Sequence, residues 1–67
     1  MLWFLERNSD VLICEVRQAQ DGPEFELAMR KAGEPEHVER FGEPTALIEQ
    51  WLSRQRQLHD DGWRPRG

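Results

Sequence analysis

The chain carries a single cysteine, Cys14, so no disulfide can form within it. No apolar run approaches the roughly 20 residues that a membrane-spanning helix needs. The apolar start MLWFLE is far shorter than a signal-peptide core and has no basic residues ahead of it, so a cytoplasmic protein is expected. His37 and His59 are the only histidines, and neither stands in HExxH or in a Cys/His metal spacing. Gly22, Gly33, Gly42 and Gly62 are separated by whole structural segments, which leaves no phosphate-cradling loop. No serine or cysteine lies beside a plausible base in a nucleophile motif. These absences point away from an enzyme and imply no metal and no cofactor. Internal repeats, low-complexity tracts and linkers are missing as well.

What remains is one small domain. A chain of 67 residues removes only about 60% of its unfolded surface from water, so its own core is thin. Domains of this size draw extra stability from disulfides, metals or partner subunits. With the first two gone, oligomerisation is the natural supplement. Cys14 itself sits in the apolar run Val11, Leu12, Ile13, Cys14 and reads as a small buried hydrophobe. The net charge of −4, from 13 acidic and 9 basic residues, opposes a chain whose main work is gripping phosphate backbones.

Four extended segments come first: Leu2 to Arg7, Val11 to Gln18, Phe25 to Lys31 and Glu36 to Phe41. The cluster NSD, the stretch QDGP with its Asp-Gly turn signal, and AGEP separate them. A two-residue turn at Asp21-Gly22 sets Cys14 opposite Met29, Val16 opposite Leu27 and Gln18 opposite Phe25. Cross-strand partners share a face, so Leu12, Cys14, Val16, Phe25, Leu27 and Met29 form one apolar surface. A tight turn at Gly33-Glu34 sets Met29 opposite Val38 and extends that surface. A two-residue Asn8-Ser9 turn adds Trp3 and Leu5 to it.

Pro44 suits the first position of a helix. The stretch PTALIEQWLSRQRQLHDD then repeats Leu47, Ile48, Trp51, Leu52 and Leu58 at helical spacing. Glu49, Gln50, Ser53, Arg54, Arg56 and Gln57 occupy the opposite, solvated side. Gly62 and Trp63 fit a Schellman closure, with Trp63 packing back on Leu58. The expected architecture is α+β: a four-stranded antiparallel meander with one C-terminal helix on one face, order ββββα. The domain spans 1–63, and 64–67 is read as a disordered tail.

Apolar side chains are left over. Leu2, Phe4, Val11 and Ile13 point to the outer face, beside a first strand that is an edge of the meander. An exposed apolar cluster of this kind marks an interaction surface, and a twofold homodimer is the commonest outcome. The leading expectation is therefore a non-enzymatic, homodimeric protein-interaction module.

The rival reading is a single-stranded nucleic-acid binder, with Arg54, Arg56, Arg64 and Arg66 gathered near Trp51 and Trp63. Against it, the outer face is expected to carry Glu15, Glu26 and Glu39 against only Arg17 and Arg30, with Glu26, Arg30, His37 and Glu39 making its third and fourth strands polar. A third reading, a small ligand pocket near Trp51 and Gln55 or a minor enzyme, needs His37 or His59 joined to carboxylates such as those of EPEH; His59 is more simply explained by the helix end.

The stretch VERFGEPTALIEQWLSRQRQLHDDGW, Val38 to Trp63, and the LWFLER start resemble short uncharacterised bacterial proteins. Those run from a strand ending in Phe, through a Pro-started helix, to a terminal Gly-Trp. The resemblance brings no activity, cofactor or site. The order of four strands then a helix is also similar to half-units of whirly-type and PUR-type single-strand binders. The basic sheet surface of those proteins is missing here, so their function does not carry over.

Overall fold

The computed structural model describes residues 1–66. Strands β1 (Leu2–Arg7), β2 (Asp10–Gln18), β3 (Phe25–Lys31) and β4 (His37–Phe41) precede helix α1 (Pro44–Asp60), and a two-residue strand β5 (Arg64–Pro65) follows it. They form one antiparallel sheet in the order β4-β3-β2-β1-β5.

The first hairpin turns tightly at Asn8-Ser9, between paired Arg7 and Asp10. Asn8 takes the left-handed conformation that the turn demands, φ 56°, which asparagine tolerates better than most residues. Trp3 therefore opposes Cys14, and Leu5 opposes Leu12. Across the next ladder Cys14 opposes Met29, Val16 opposes Leu27 and Gln18 opposes Phe25. All these side chains share the helix side of the sheet. Leu12, Cys14 and Trp63 make its buried cluster, with Trp3, Leu5, Met29, Trp51 and Leu58 packed around them.

The β3–β4 register differs from the expectation by one residue. Met29 opposes His37, and Val38 opposes Ala28. The connection closes on Gly33 at φ 86°, with the Glu34 amide donating to the Lys31 carbonyl. One extra residue in the turn flips every side chain of the strand that follows. Val38 is thus an outer-face residue, 38% exposed and outside the core. His37 and Glu39 move to the helix side, and Arg40 takes the outer face in their place.

That flip changes the helix contact. Glu39 now points at α1 and accepts a hydrogen bond from Arg54. Arg54 therefore turns inward with Leu47, Trp51 and Leu58, instead of lying on the solvated side. Ile48 and Leu52, expected in the core, are left 55% and 54% exposed. The apolar stripe of α1 is wider than the surface it covers, because the helix lies over β3 and β4 and reaches β1 through the stacking of Trp51 on Trp3 (ring centroids 4.7 Å apart).

α1 ends in a Schellman motif. The Trp63 amide donates to the Leu58 carbonyl (2.9 Å), and that of Gly62 to the His59 carbonyl (3.1 Å). Gly62 has φ 97°, and Trp63 is buried. The Arg7 guanidinium lies 4.6 Å above the Trp63 ring and donates to the Asp61 carbonyl and carboxylate, so β1 grips the helix end. The following residues do not form the expected loose tail. Arg64–Pro65 pairs with β1, and the Arg66 amide donates to the Phe4 carbonyl (2.9 Å). Gly67 lies outside the described residues.

Candidate interaction surfaces

On the outer face, alternation in β1 and β2 brings Leu2, Phe4, Val11 and Ile13 together. Phe4 opposes Ile13, and Leu2 and Val11 flank them along the two strands. Leu2 and Phe4 are 56% and 42% exposed, while Val11 and Ile13 are half-buried. β5 covers the edge of β1 beside Leu5 and Glu6, so the open edge expected there is confined to the first residues of the strand. Pro65, with no N–H to offer, blunts the new edge.

Beside this patch lies an ion-pair network. Arg17 donates to Glu26 (2.8 Å), Glu15 (2.9 Å) and Glu36 (3.0 Å). Arg40 donates to the other oxygen of Glu26 (3.0 Å) and pairs with Asp21. Glu26 is buried between the two guanidiniums. The hydrogen bond from Arg17 holds the Glu36 carboxyl below the usual carboxylate range. The hydrogen bonds it donates to Glu36, Glu26 and Glu15 hold Arg17 firmly charged. Strand carboxylates (Glu15, Glu26) and loop carboxylates (Glu36, Asp21) thus neutralise Arg17 and Arg40 on this face, and a phosphate chain would have to displace them.

The four arginines of the nucleic-acid reading do not form one groove. Arg54 faces Glu39 under the helix, and its Nε is buried with no partner. Arg64 donates to the carbonyls of His59 and Trp63. Arg66 lies 4.0 Å from Glu6. Arg56 is on the exposed side of α1. The histidines are also apart: His37 lies 3.5 Å from Glu39 on β4, and His59 is in the last turn of α1. Glu36 of the EPEH stretch is engaged by Arg17. No cluster of three or more His, Cys, Asp or Glu residues suited to a metal occurs among the described residues.

On the helix side, an apolar groove of about 330 Å³ runs between α1 and the sheet. Trp3, Val16, Phe25, Ile48 and Trp51 line it, with Met1 at its end. Gln55, the polar residue near the stripe, does not line it. Sequence reasoning missed this surface because it assigned Ile48 and Leu52 to the core. The signal was present in the width of the apolar stripe relative to a single helix. No helix among the described residues is long and apolar enough to cross a membrane.

Comparison of the chain with protein-family models, with curated proteins and with solved structures returned no match.

Proposed function

We propose that the chain is a non-enzymatic interaction module whose basic unit is a homodimer paired through the outer face of β1 and β2. The observation that carries this reading is the exposure of Leu2 and Phe4, 56% and 42%, in a patch continuous with Val11 and Ile13. Large apolar side chains gathered in one place on a small domain lower its solubility unless something covers them. Leu27 and Cys14 are the largest wholly buried side chains among the described residues. A core this thin gains from a partner's surface. An isologous contact fits a patch of this kind, because one apolar surface serves both sides of the twofold.

Sedimentation at micromolar concentration tests the reading. The expected mass exceeds that of one chain, and Phe4→Arg lowers it, since a charge at the centre of the patch would be buried without a partner. A mass unchanged by Phe4→Arg refutes the pairing through this face.

A further inference from the structure

The sheet ends in two edges, and they are built differently. Bonded and non-bonded pairs alternate along an antiparallel ladder, so one bond fixes which way each residue's backbone turns. The Ala19 amide donates to the Glu24 carbonyl (2.8 Å), and the Ala32 amide to the Val11 carbonyl (3.0 Å). Glu26, Ala28 and Arg30 of β3 therefore bond to β2, while Phe25, Leu27 and Met29 turn to β4. Their partners Phe41, Glu39 and His37 turn back to β3. Val38 and Arg40 are left with N–H and C=O groups directed off the sheet, and no other strand among the described residues lies on that side. At the β5 edge the same alternation, set by the Arg66 amide on the Phe4 carbonyl, leaves Pro65 as the outward residue, which has no N–H to donate. β4 contains no proline, and its register with β3 runs without a bulge. The β5 edge is blunted against further pairing, and the β4 edge is open to it.

We propose that β4 pairs antiparallel with β4 of a second copy, about a twofold axis at Val38, so that two sheets join into one. Outward backbone groups must meet outward groups, which puts the axis at a residue and never between two. An axis at His37 or Phe41 would bring the partner's Pro35 or Pro44 into the ladder. Charge chooses among the rest. An axis at Glu39 sets Glu39 against the partner's Glu39, and one at Arg40 sets arginine against arginine. The axis at Val38 sets His37 against the partner's Glu39 and Arg40 against the partner's Glu36, with no like charges opposed. Val38, 38% exposed, meets its own copy at the centre, where the two backbones exchange a pair of hydrogen bonds. On the outer face the Asp21–Arg40 pair of one copy and the Glu36–Arg17 pair of the other then join in a row of alternating sign. The order Glu36, His37, Val38, Glu39, Arg40 is thus complementary to itself about its middle residue, which favours a second copy over an arbitrary extended peptide. β4 lies at the other end of the sheet from Leu2 and Phe4, so this contact stands whether or not the outer-face pairing does.

Two substitutions separate pairing from folding. Val38→Pro removes an outward N–H and no ladder bond within the chain. Val38→Lys keeps the backbone and sets two ammonium groups beside the axis, so it decides the matter should the proline variant fail to fold. With both contacts made, the wild-type chain forms assemblies larger than two copies. Phe4→Arg is expected to sediment as a dimer held by β4, and adding either Val38 substitution to give a monomer with unchanged circular dichroism. In the Phe4→Arg background Val38→Cys reads the register. Across the axis the two Cα atoms lie about 5.5 Å apart, within disulfide reach, so mild oxidation is expected to give a covalent dimer. An axis at Glu39 would shift them roughly 7 Å along the strands, out of that reach. Cys14 is buried, and Phe4→Arg alone is expected to stay uncrosslinked. A Phe4→Arg chain that sediments as a monomer, a dimer indifferent to Val38→Lys, or no covalent dimer from Val38→Cys overturns the proposed contact. Association lost on Val38→Lys with no response to Phe4→Arg removes the outer-face reading and leaves the β4 contact standing.

Discussion

Burial raises the Cys14 thiol from its ordinary 9.0 to about 11, because a thiolate there would lose its hydration and find no cation in exchange. A group whose pKa rises on folding contributes stability that is intact below its unfolded pKa and is lost as pH climbs through the folded one. Stability against urea should therefore fall between pH 9 and about 11, and Cys14→Ala should remove that part of the decline. A thiol reagent at neutral pH should react slowly until denaturant is added. Leu27 and Val38 form a contrasting pair at the same scale. Leu27→Ala, at a wholly buried position, is expected to cost about 2–5 kcal/mol. Val38→Thr, on the outer face, should cost less than about 0.5 kcal/mol. Urea melts decide both, and a large loss at Val38 would place it back in the core and overturn the observed register.

Among the elements, the end of α1 is the most sharply specified. Gly62 has φ 97°, and a Cβ there would meet the Arg7 Cδ at 3.3 Å. Gly62→Ala is expected to cost about 1–2 kcal/mol from the left-handed backbone alone, read as a lowered thermal midpoint with the helix content retained. This closure was legible in the sequence because Gly62-Trp63 carries its own local geometry. The β1–β2 pairing was legible for the same reason, through Asn8-Ser9, and the β2–β3 register through the Asp21-Gly22 signal and the alternation of β3. The two-residue turn expected there is, however, a four-residue loop, Gln20 to Pro23, closed by the Ala19 amide donating to the Glu24 carbonyl. The β3–β4 pairing was not, since AGEP is compatible with turns that differ by one residue and no alternation in HVERF chooses between them. The slip carried Val38 out of the core and His37 and Glu39 into the helix face. With Glu39 there, Arg54 turned inward and Ile48 and Leu52 turned out. The groove therefore became visible only in three dimensions. β5 was hidden for a different reason: two residues, one of them proline, have no periodicity to read. Of the candidate sites, the outer patch could be read once the Asn8-Ser9 turn had chosen which alternate pair of β1 faces out, whereas the helix-side groove depends on where the helix lies.

For the molecule as a whole, the outer-face ion pairs link β2, β3, β4 and the loop that leads into β4. Glu36 has its pKa lowered, chiefly by the hydrogen bond from Arg17. Its contribution is thus present above the unfolded carboxylate pKa and is lost as pH falls through the lower folded value. Thermal midpoints should decline on acidification below the ordinary carboxylate range, and Glu36→Gln should flatten that decline while lowering the midpoint at neutral pH. Salt should weaken the exposed Glu36 pair before it weakens the pairs to buried Glu26.

β5 adds a constraint in time. Residues 64–66 leave the ribosome after every other element described here, yet they supply the neighbour that β1, made first, needs along its far border. Until they emerge, the backbone of the amino-terminal ribbon from Phe4 to Glu6 waits without its partners on that side. Completion of the sheet therefore waits for the last of the described elements, and a nascent chain stalled short of Arg64 should be the species most prone to stick to its neighbours.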